Sequence, residues 1–255
     1  MTEWNKTSGM VRMQEVVILE KVYGDRSGFL KLDRKLKSLL GELEVEWKLS
    51  AVKKNWVKVS LSGEDEEISA NLVREEFGEV PYRLGAVKEG DVYRGRFIDL
   101  GKVGYGAYVD IGIFSPRPKD ALLPLYYLKD VFGEIPVREM IRRFGWVDNL
   151  PVEVEVTSVE FGAREVELAF SEPQLKRMRG WLEDGYDKLF VTGTVSENVE
   201  KALIQTGHGR DVKRIEELGL METLLILKKG TQAPGIIKEI GPLLKGAVIG
   251  AIKFH

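Results

Sequence analysis

Gly90-Asp91-Val92-Tyr93-Arg94-Gly95-Arg96-Phe97-Ile98-Asp99-Leu100, then after a short turn Gly104-Tyr105-Gly106-Ala107-Tyr108-Val109-Asp110-Ile111-Gly112, decides how this chain is read. Both runs put β-branched and aromatic residues between glycines, which predicts a hairpin turning at residues 101–104. Strand side chains alternate between faces, so Val109 turned inward leaves Tyr108 outward. Outward from this hairpin, residues 121–125, 151–159 and 165–170 read as three further strands, with a helical insert at 135–144. Five short strands in one compact segment predict a small closed barrel.

Before the barrel, residues 15–22, 45–52 and 56–61 read as strands and 28–43 and 68–77 as helices. The first helix is marked by Phe29, Leu30, Leu32, Leu36, Leu39, Leu40 and Leu43, a stripe of near-3.6 spacing. After it, 172–187 reads as a linking helix. Residues 188–191, 222–227 and 247–254 read as strands, and 196–204, 212–218 and 235–244 as helices, an order that suits one mixed or parallel sheet. The expected fold class is α+β in three domains: 1–84, a barrel at 85–172, a linker helix at 173–187, and a C-terminal α/β unit at 188–255.

Composition narrows the function classes. The 255 residues hold no cysteine and only two histidines, which removes disulfides and thiolate chemistry and leaves little for a zinc site or a triad. No apolar run is long enough to span a bilayer and the first residues lack an apolar signal segment, so a cytoplasmic protein is expected. Four Gln, five Asn and abundant Lys, Glu and Arg match the usage of heat-adapted proteins. The net charge of −2 disfavours coating nucleic acid by bulk electrostatics; only residues 188–255, with 10 basic and 7 acidic side chains, are net basic.

The quoted hairpin resembles the S1 RNA-binding family, which writes it as G-x-V-x-x-G-x-V followed by aromatic-G-A-aromatic-V. Ala121-Leu122-Leu123-Pro124 resembles that family's third strand, Asn149 to Val156 its fourth, and Leu168-Ala169-Phe170-Ser171 its last. The resemblance implies an OB-barrel whose positions Tyr105 and Tyr108 stack on single-stranded RNA. Pro124 replaces a frequent histidine of the family, and Glu167 a basic residue. The whole chain also resembles a family of uncharacterised archaeal proteins with an S1-like middle, through Thr206-Gly207-His208-Gly209-Arg210-Asp211-Val212 and Lys229-Gly230-Thr231-Gln232-Ala233-Pro234-Gly235.

The residues themselves offer several sites. Tyr105 and Tyr108 suit base stacking, with Arg94, Arg96 and Lys102 near enough in the hairpin to meet phosphates. Lys228, Lys229, Gly230 and Thr231 join a strand to a helix, where an anion could meet the helix N-terminus. His208 and Arg210 stand in a second glycine turn, read more readily as a helix–helix turn capped by Asp211. Arg138, Arg142 and Arg143 share one helix face, an arrangement that serves phosphates or acidic partners and is more often simply solvated. No catalytic residue, metal or cofactor is expected. The expected function is a non-enzymatic RNA-binding adaptor in translation, ribosome assembly or RNA processing, with single-stranded or ribosomal RNA as partner. The alternatives are a protein-docking module and, less favoured, a nucleotide-using enzyme.

Overall fold

The computed structural model describes residues 13–24, 26–163 and 165–254. The expectations for the first twelve residues and for His255 lie outside these.

The N-terminal unit runs β1 (Met13–Lys21), α1 (Ser27–Leu40), β2 (Val45–Ala51), β3 (Trp56–Gly63), α2 (Glu66–Phe77), with antiparallel sheet order β1-β3-β2. Leu32, Leu36 and Leu40 point one buried α1 stripe at Val16, Ile18, Val57, Val59 and Leu61 of the sheet. Leu30, one residue off the stripe, is exposed. After α2 the chain returns beside β1: Ile18 and Glu79 form a bridge and Val80 N donates to Val17 O at 2.9 Å.

The centre is a closed ring. β5 (Val92–Ile98) pairs with β6 (Gly106–Ser115), β6 with β7 (Lys119–Pro124), β7 with β9 (Glu165–Phe170), β9 with β8 (Pro151–Glu160), and β8 with β5; a two-residue strand, β4 (Tyr82–Arg83), lies beside β6. Alternation fills the ring with Phe97, Val109, Ile111, Leu123, Val154, Leu168 and Phe170. This is an OB-like five-stranded barrel. The sequence predicts one insert helix between the third and fourth barrel strands; there are two, α3 (Leu125–Phe132) and α4 (Val137–Phe144). Phe132, Phe144, Trp146 and Phe170 pack as an aromatic cluster beneath them, with Phe132 and Phe144 centroids 4.5 Å apart. The linking helix α5 (Glu172–Glu183) packs on the barrel, with Ser171 Oγ capping it by accepting from Gln174 N at 3.3 Å.

The C-terminal unit corrects two expectations. Residues 212–218 are not a helix: Val212–Glu217 is strand β11, paired with β12 (Glu222–Leu227). Val212, Ile215 and Leu218 lie three apart in sequence, which imitates helical spacing, and a register shift between Val212 and Arg214 lets Val212 and Ile215 share one strand face all the same. With β10 (Lys188–Thr192), α6 (Ser196–Gln205), α7 (Ala233–Ile240) and β13 (Val248–Ile252), the order is βαββαβ. The sheet, β11-β12-β10-β13, is antiparallel throughout rather than mixed or parallel. That is the split βαβ, ferredoxin-like arrangement. The N-terminal unit has the same strand order without the fourth strand, so two related layers flank the barrel.

Buried charge joins the three units. Arg96, on the outer face of β5, has no exposed side-chain surface. Its Nη2 lies 2.8 Å from Glu20 Oε2 on β1 and 3.6 Å from Glu222 Oε2 on β12, and donates to Leu19 O at 3.3 Å. Arg94 Nη2 meets Glu20 Oε1 at 2.5 Å, and Leu220 N donates to Glu20 Oε2 at 3.0 Å. Asp110, opposite Arg96 in the β5–β6 register, accepts from Lys21 Nζ at 2.7 Å and Trp56 Nε1 at 3.0 Å. Further out, Lys31 Nζ donates to Ser196 Oγ at 2.9 Å and Glu217 Oε1 at 2.5 Å, which ties α1 to the C-terminal unit.

Gly219 lies against this cluster. A Cβ there would strike Glu222 Oε2 and stand 3.1 Å from Arg96 Nη2 and 3.2 Å from Glu20 Oε2. Gly219→Ala is therefore expected to destabilise the protein by about 1–3 kcal/mol, read as a fall in Tm; an unchanged Tm would refute the tight fit. Burial raises the pKa of Glu222 to about 7, outweighing the pull of Arg96. A carboxyl with a raised folded pKa contributes most stability below its unfolded value, near 4.5, and loses that contribution as pH rises through 7. Glu222→Gln should flatten the dependence of Tm on pH between 5 and 8. Parallel wild-type and Gln profiles would refute it.

Candidate nucleic-acid interface

The β6–β7 face of the barrel carries the tyrosines singled out by the sequence. Tyr105 ends the β5–β6 loop and is exposed; Tyr108 is half-buried on β6. Their hydroxyls are 2.7 Å apart and their rings meet edge to face, centroids 6.2 Å apart. The shared hydrogen bond pushes the Tyr108 hydroxyl up to about 12, so its ring is a neutral phenol at ordinary pH. They line a cleft of about 300 Å³ with Lys119, Asp120, Leu122, Glu165, Val166 and Glu167. Tyr126, on α3, stands exposed beside it and donates to Glu167 Oε2 at 2.8 Å. The cleft therefore offers aromatic surface rimmed mainly by carboxylates, with Asp120 held by Lys54 Nζ at 2.5 Å. Sequence reasoning names the two tyrosines and Glu167. It misses Tyr126, Asp120 and Glu165, which only the β7–β9 pairing and the turn into α3 bring there.

The basic residues expected beside the tyrosines are mostly elsewhere. Arg96 cannot meet a phosphate, because it is sealed between the three units. Arg94 is partly exposed but held by Glu20, and it faces a different cleft with Glu153, Arg177 and Glu217. Both arginines alternate onto the barrel surface that the N-terminal unit covers. Lys102 remains exposed in the β5–β6 loop, with Asp99 Oδ1 at 2.6 Å.

The two C-terminal loops, distant in sequence, are neighbours. Lys228 N donates to Asp211 O at 2.8 Å, and His208 lies between Asp211 Oδ2 at 2.7 Å and Glu239 Oε2 at 3.2 Å. Asp211 caps no helix, since a strand follows it; it holds the His208 ring instead. At the start of α7, where the sequence suggests an anion contact, the first amide already has a protein partner. Asp187, buried immediately before β10, accepts from Ala233 N at 3.3 Å and Phe254 N at 2.8 Å. Nor does Thr231 cap α7, whose N-cap position is Gln232; Gly230 and Thr231 form the turn, with Thr231 N donating to Lys228 O at 3.1 Å. Arg210, Lys228 and Lys229 stay exposed, and the ammonium groups of Lys213 and Lys229 lie 3.7 and 5.6 Å from the Tyr186 ring centre.

Of the three arginines on α4, Arg142 and Arg143 line a groove against β13, while Arg138 is exposed outside it. Glu139 accepts from Arg142 Nη2 at 2.7 and 2.8 Å. Among the described residues no group of three or more His, Asp or Glu is placed to hold a metal, and no helix is long and apolar enough to cross a membrane.

No curated protein matches the chain. Among solved structures, the uncharacterized protein MJ1198 from Methanocaldococcus jannaschii is 16% identical over 34% of this chain and 95% of that one, with a TM-score of 0.24. Three domain profiles match in sequence order: the DUF2110 N-terminal domain at residues 15–83, the central domain at 87–182 and the C-terminal domain at 186–252. The N-terminal match covers the layer with β1 to β3, the central one the barrel with α5, and the last the βαββαβ layer. The chain belongs to the DUF2110 family.

Proposed function

We propose that this protein is a cytoplasmic, non-enzymatic RNA-binding adaptor whose S1-like barrel receives single-stranded RNA on the face of Tyr105 and Tyr108. The observation that carries the reading is the position of those rings. Tyr105, at the end of the β5–β6 loop, and Tyr108, on β6, lie on the face of the second and third strands of an OB-like barrel, the surface on which such barrels bind oligonucleotides. Stacking requires only a π-face, so phenol rings accept any base. The carboxylates Asp120, Glu165 and Glu167 keep phosphates off this surface and leave it to bases.

Those same carboxylates favour a second reading, in which the face docks a protein segment rich in Lys or Arg. Aromatic rings and carboxylates together attract cations. The structure gives less to the third reading, a nucleotide-using enzyme, because Asp187 already accepts from the first amide of α7.

Stacking of two bases at about 1–3 kcal/mol each predicts that Tyr105→Ala/Tyr108→Ala weakens single-stranded RNA binding by at least about thirtyfold, or about 2 kcal/mol. Fluorescence anisotropy with labelled single-stranded and duplex RNA measures this. Equal binding by variant and wild type would sink the stacking reading. Tight binding of an Arg-rich peptide, lost in the same variant while wild type ignores RNA, would establish the second.

A further inference from the structure

The tyrosine face has one lysine in its lining, Lys119, against three carboxylates, and a denser group of cations lies beyond the loop that leads to it. Gly101, in the loop that leads to Tyr105, approaches Ile141 of α4: a Cβ on it would stand 3.6 Å from Ile141 Cδ1. Ile141 opens a groove of about 590 Å³ between α4 and β13, into which Arg142, Arg143 and Lys253 are set. Its floor is fixed by backbone contact between two units. Gly145, at φ +63°, ends α4 so close to β13 that a Cβ would stand 2.7 Å from Ala251 C, and a Cβ on Gly250 would strike Gly145 O.

Lys253 marks the far end. The register that pairs Lys188 with both Ile226 and Ile252 brings the ends of β12 and β13 to one edge of the sheet, where Lys228, Lys229 and Lys213 also stand. Among the described residues none of Lys213, Lys228, Lys229 or Lys253 has a carboxylate within ion-pair distance. The acidic groups nearby are engaged: Asp184 by Lys188, Asp211 and Glu239 by His208, Glu216 by Arg214, and Asp187 by backbone amides. Glu139, paired with Arg142, is the acidic residue in the groove wall.

We infer that the α4–β13 groove carries the backbone of single-stranded RNA from the tyrosine face to the lysine edge of the C-terminal unit, with Arg142, Arg143 and Lys253 meeting its phosphates. This rests on the RNA reading above and divides the labour: bases stack where the barrel is acidic, and phosphates run where Arg143 and Lys253 stand without carboxylate partners and Arg142 shares only Glu139. A strand held this way uses two units whose relative position is fixed by the Gly145–Gly250 approach.

The test is Arg142→Ala/Arg143→Ala/Lys253→Ala in the full chain, measured by anisotropy with a labelled single-stranded RNA across a salt series. All three side chains are exposed, and an unchanged Tm confirms that the variant folds. Each phosphate that is no longer neutralised lowers the magnitude of the slope of log K against log salt by about 0.7, so the triple variant should lose about 2. The charge-keeping Arg142→Lys/Arg143→Lys/Lys253→Arg variant should retain the wild-type slope. A triple variant with the wild-type slope and affinity, while Tyr105→Ala/Tyr108→Ala still weakens binding, overturns the groove and leaves the face standing. Wild type that binds no RNA overturns both. A polyglutamate peptide bound through the three residues as tightly as RNA of equal charge overturns the RNA path in favour of an acidic protein.

Discussion

Arg96 is the constraint from which the rest of the architecture follows. A guanidinium with no exposed surface is tolerated only where carboxylates and carbonyls meet it, because removing a partner from such a cluster leaves a buried charge uncompensated, at about 3–5 kcal/mol. Here the partners come from three units at once: Glu20 from the first sheet, the guanidinium from the barrel, and Glu222 from the last sheet. None of the units can satisfy the cluster alone. The cluster therefore sets how the two outer layers sit on the barrel, and Gly219 stands at that point because even a methyl group would intrude.

That placement divides the barrel surface. The part of the β5–β6 hairpin around Arg96 and Asp110 is sealed under β1 and Trp56, whereas the part around Tyr105 and Tyr108, a few residues further along, stays open. The same logic closes the sheet of the C-terminal unit. Phe190, Leu224, Ile226 and Ile252 join the barrel core, and Trp181 of α5 packs edge to face on Phe190 at 5.1 Å. A βαββαβ unit with its flat face buried has only its ends, its outer helices and its edges left for a partner. The exposed lysines lie at one such end.

Local signals are legible in the sequence and long-range ones are not. The barrel hairpin can be read because alternation and glycine bounds lie within a few residues of one another, and α1 because Leu32, Leu36 and Leu40 repeat over its length. Strand β11 reads wrongly as a helix because Val212, Ile215 and Leu218 lie three apart in sequence, and a three-residue apolar period resembles helical spacing. Arg96 reads as a surface residue because arginine is rarely sealed without partners, and its partner Glu20 lies 76 residues away. The engagement of the first amide of α7 is hidden for a similar reason: Asp187, which accepts from it, lies 46 residues before Ala233. The candidate face is half legible. Its rings lie in the hairpin, but its carboxylates arrive through β7 and β9.

The charge pattern explains why a protein of net charge −2 can be read as an RNA partner. Bulk attraction is absent, so affinity depends on where cations lack carboxylates. Most lysines and arginines of the N-terminal layer and barrel hairpin are bound in pairs such as Lys21–Asp110, Lys54–Asp120, Lys58–Glu15 and Arg94–Glu20. Around α4, β13 and the end of the C-terminal sheet the balance reverses, and Arg143, Lys253, Lys228 and Lys229 stand without acidic partners among the described residues. A strand crossing from rings to cations gains stacking in one place and counterion release in the other. Neither surface supplies both, so binding of this kind depends on the barrel and the C-terminal unit being held in one arrangement. Arg96 and the Gly145–Gly250 contact provide that hold.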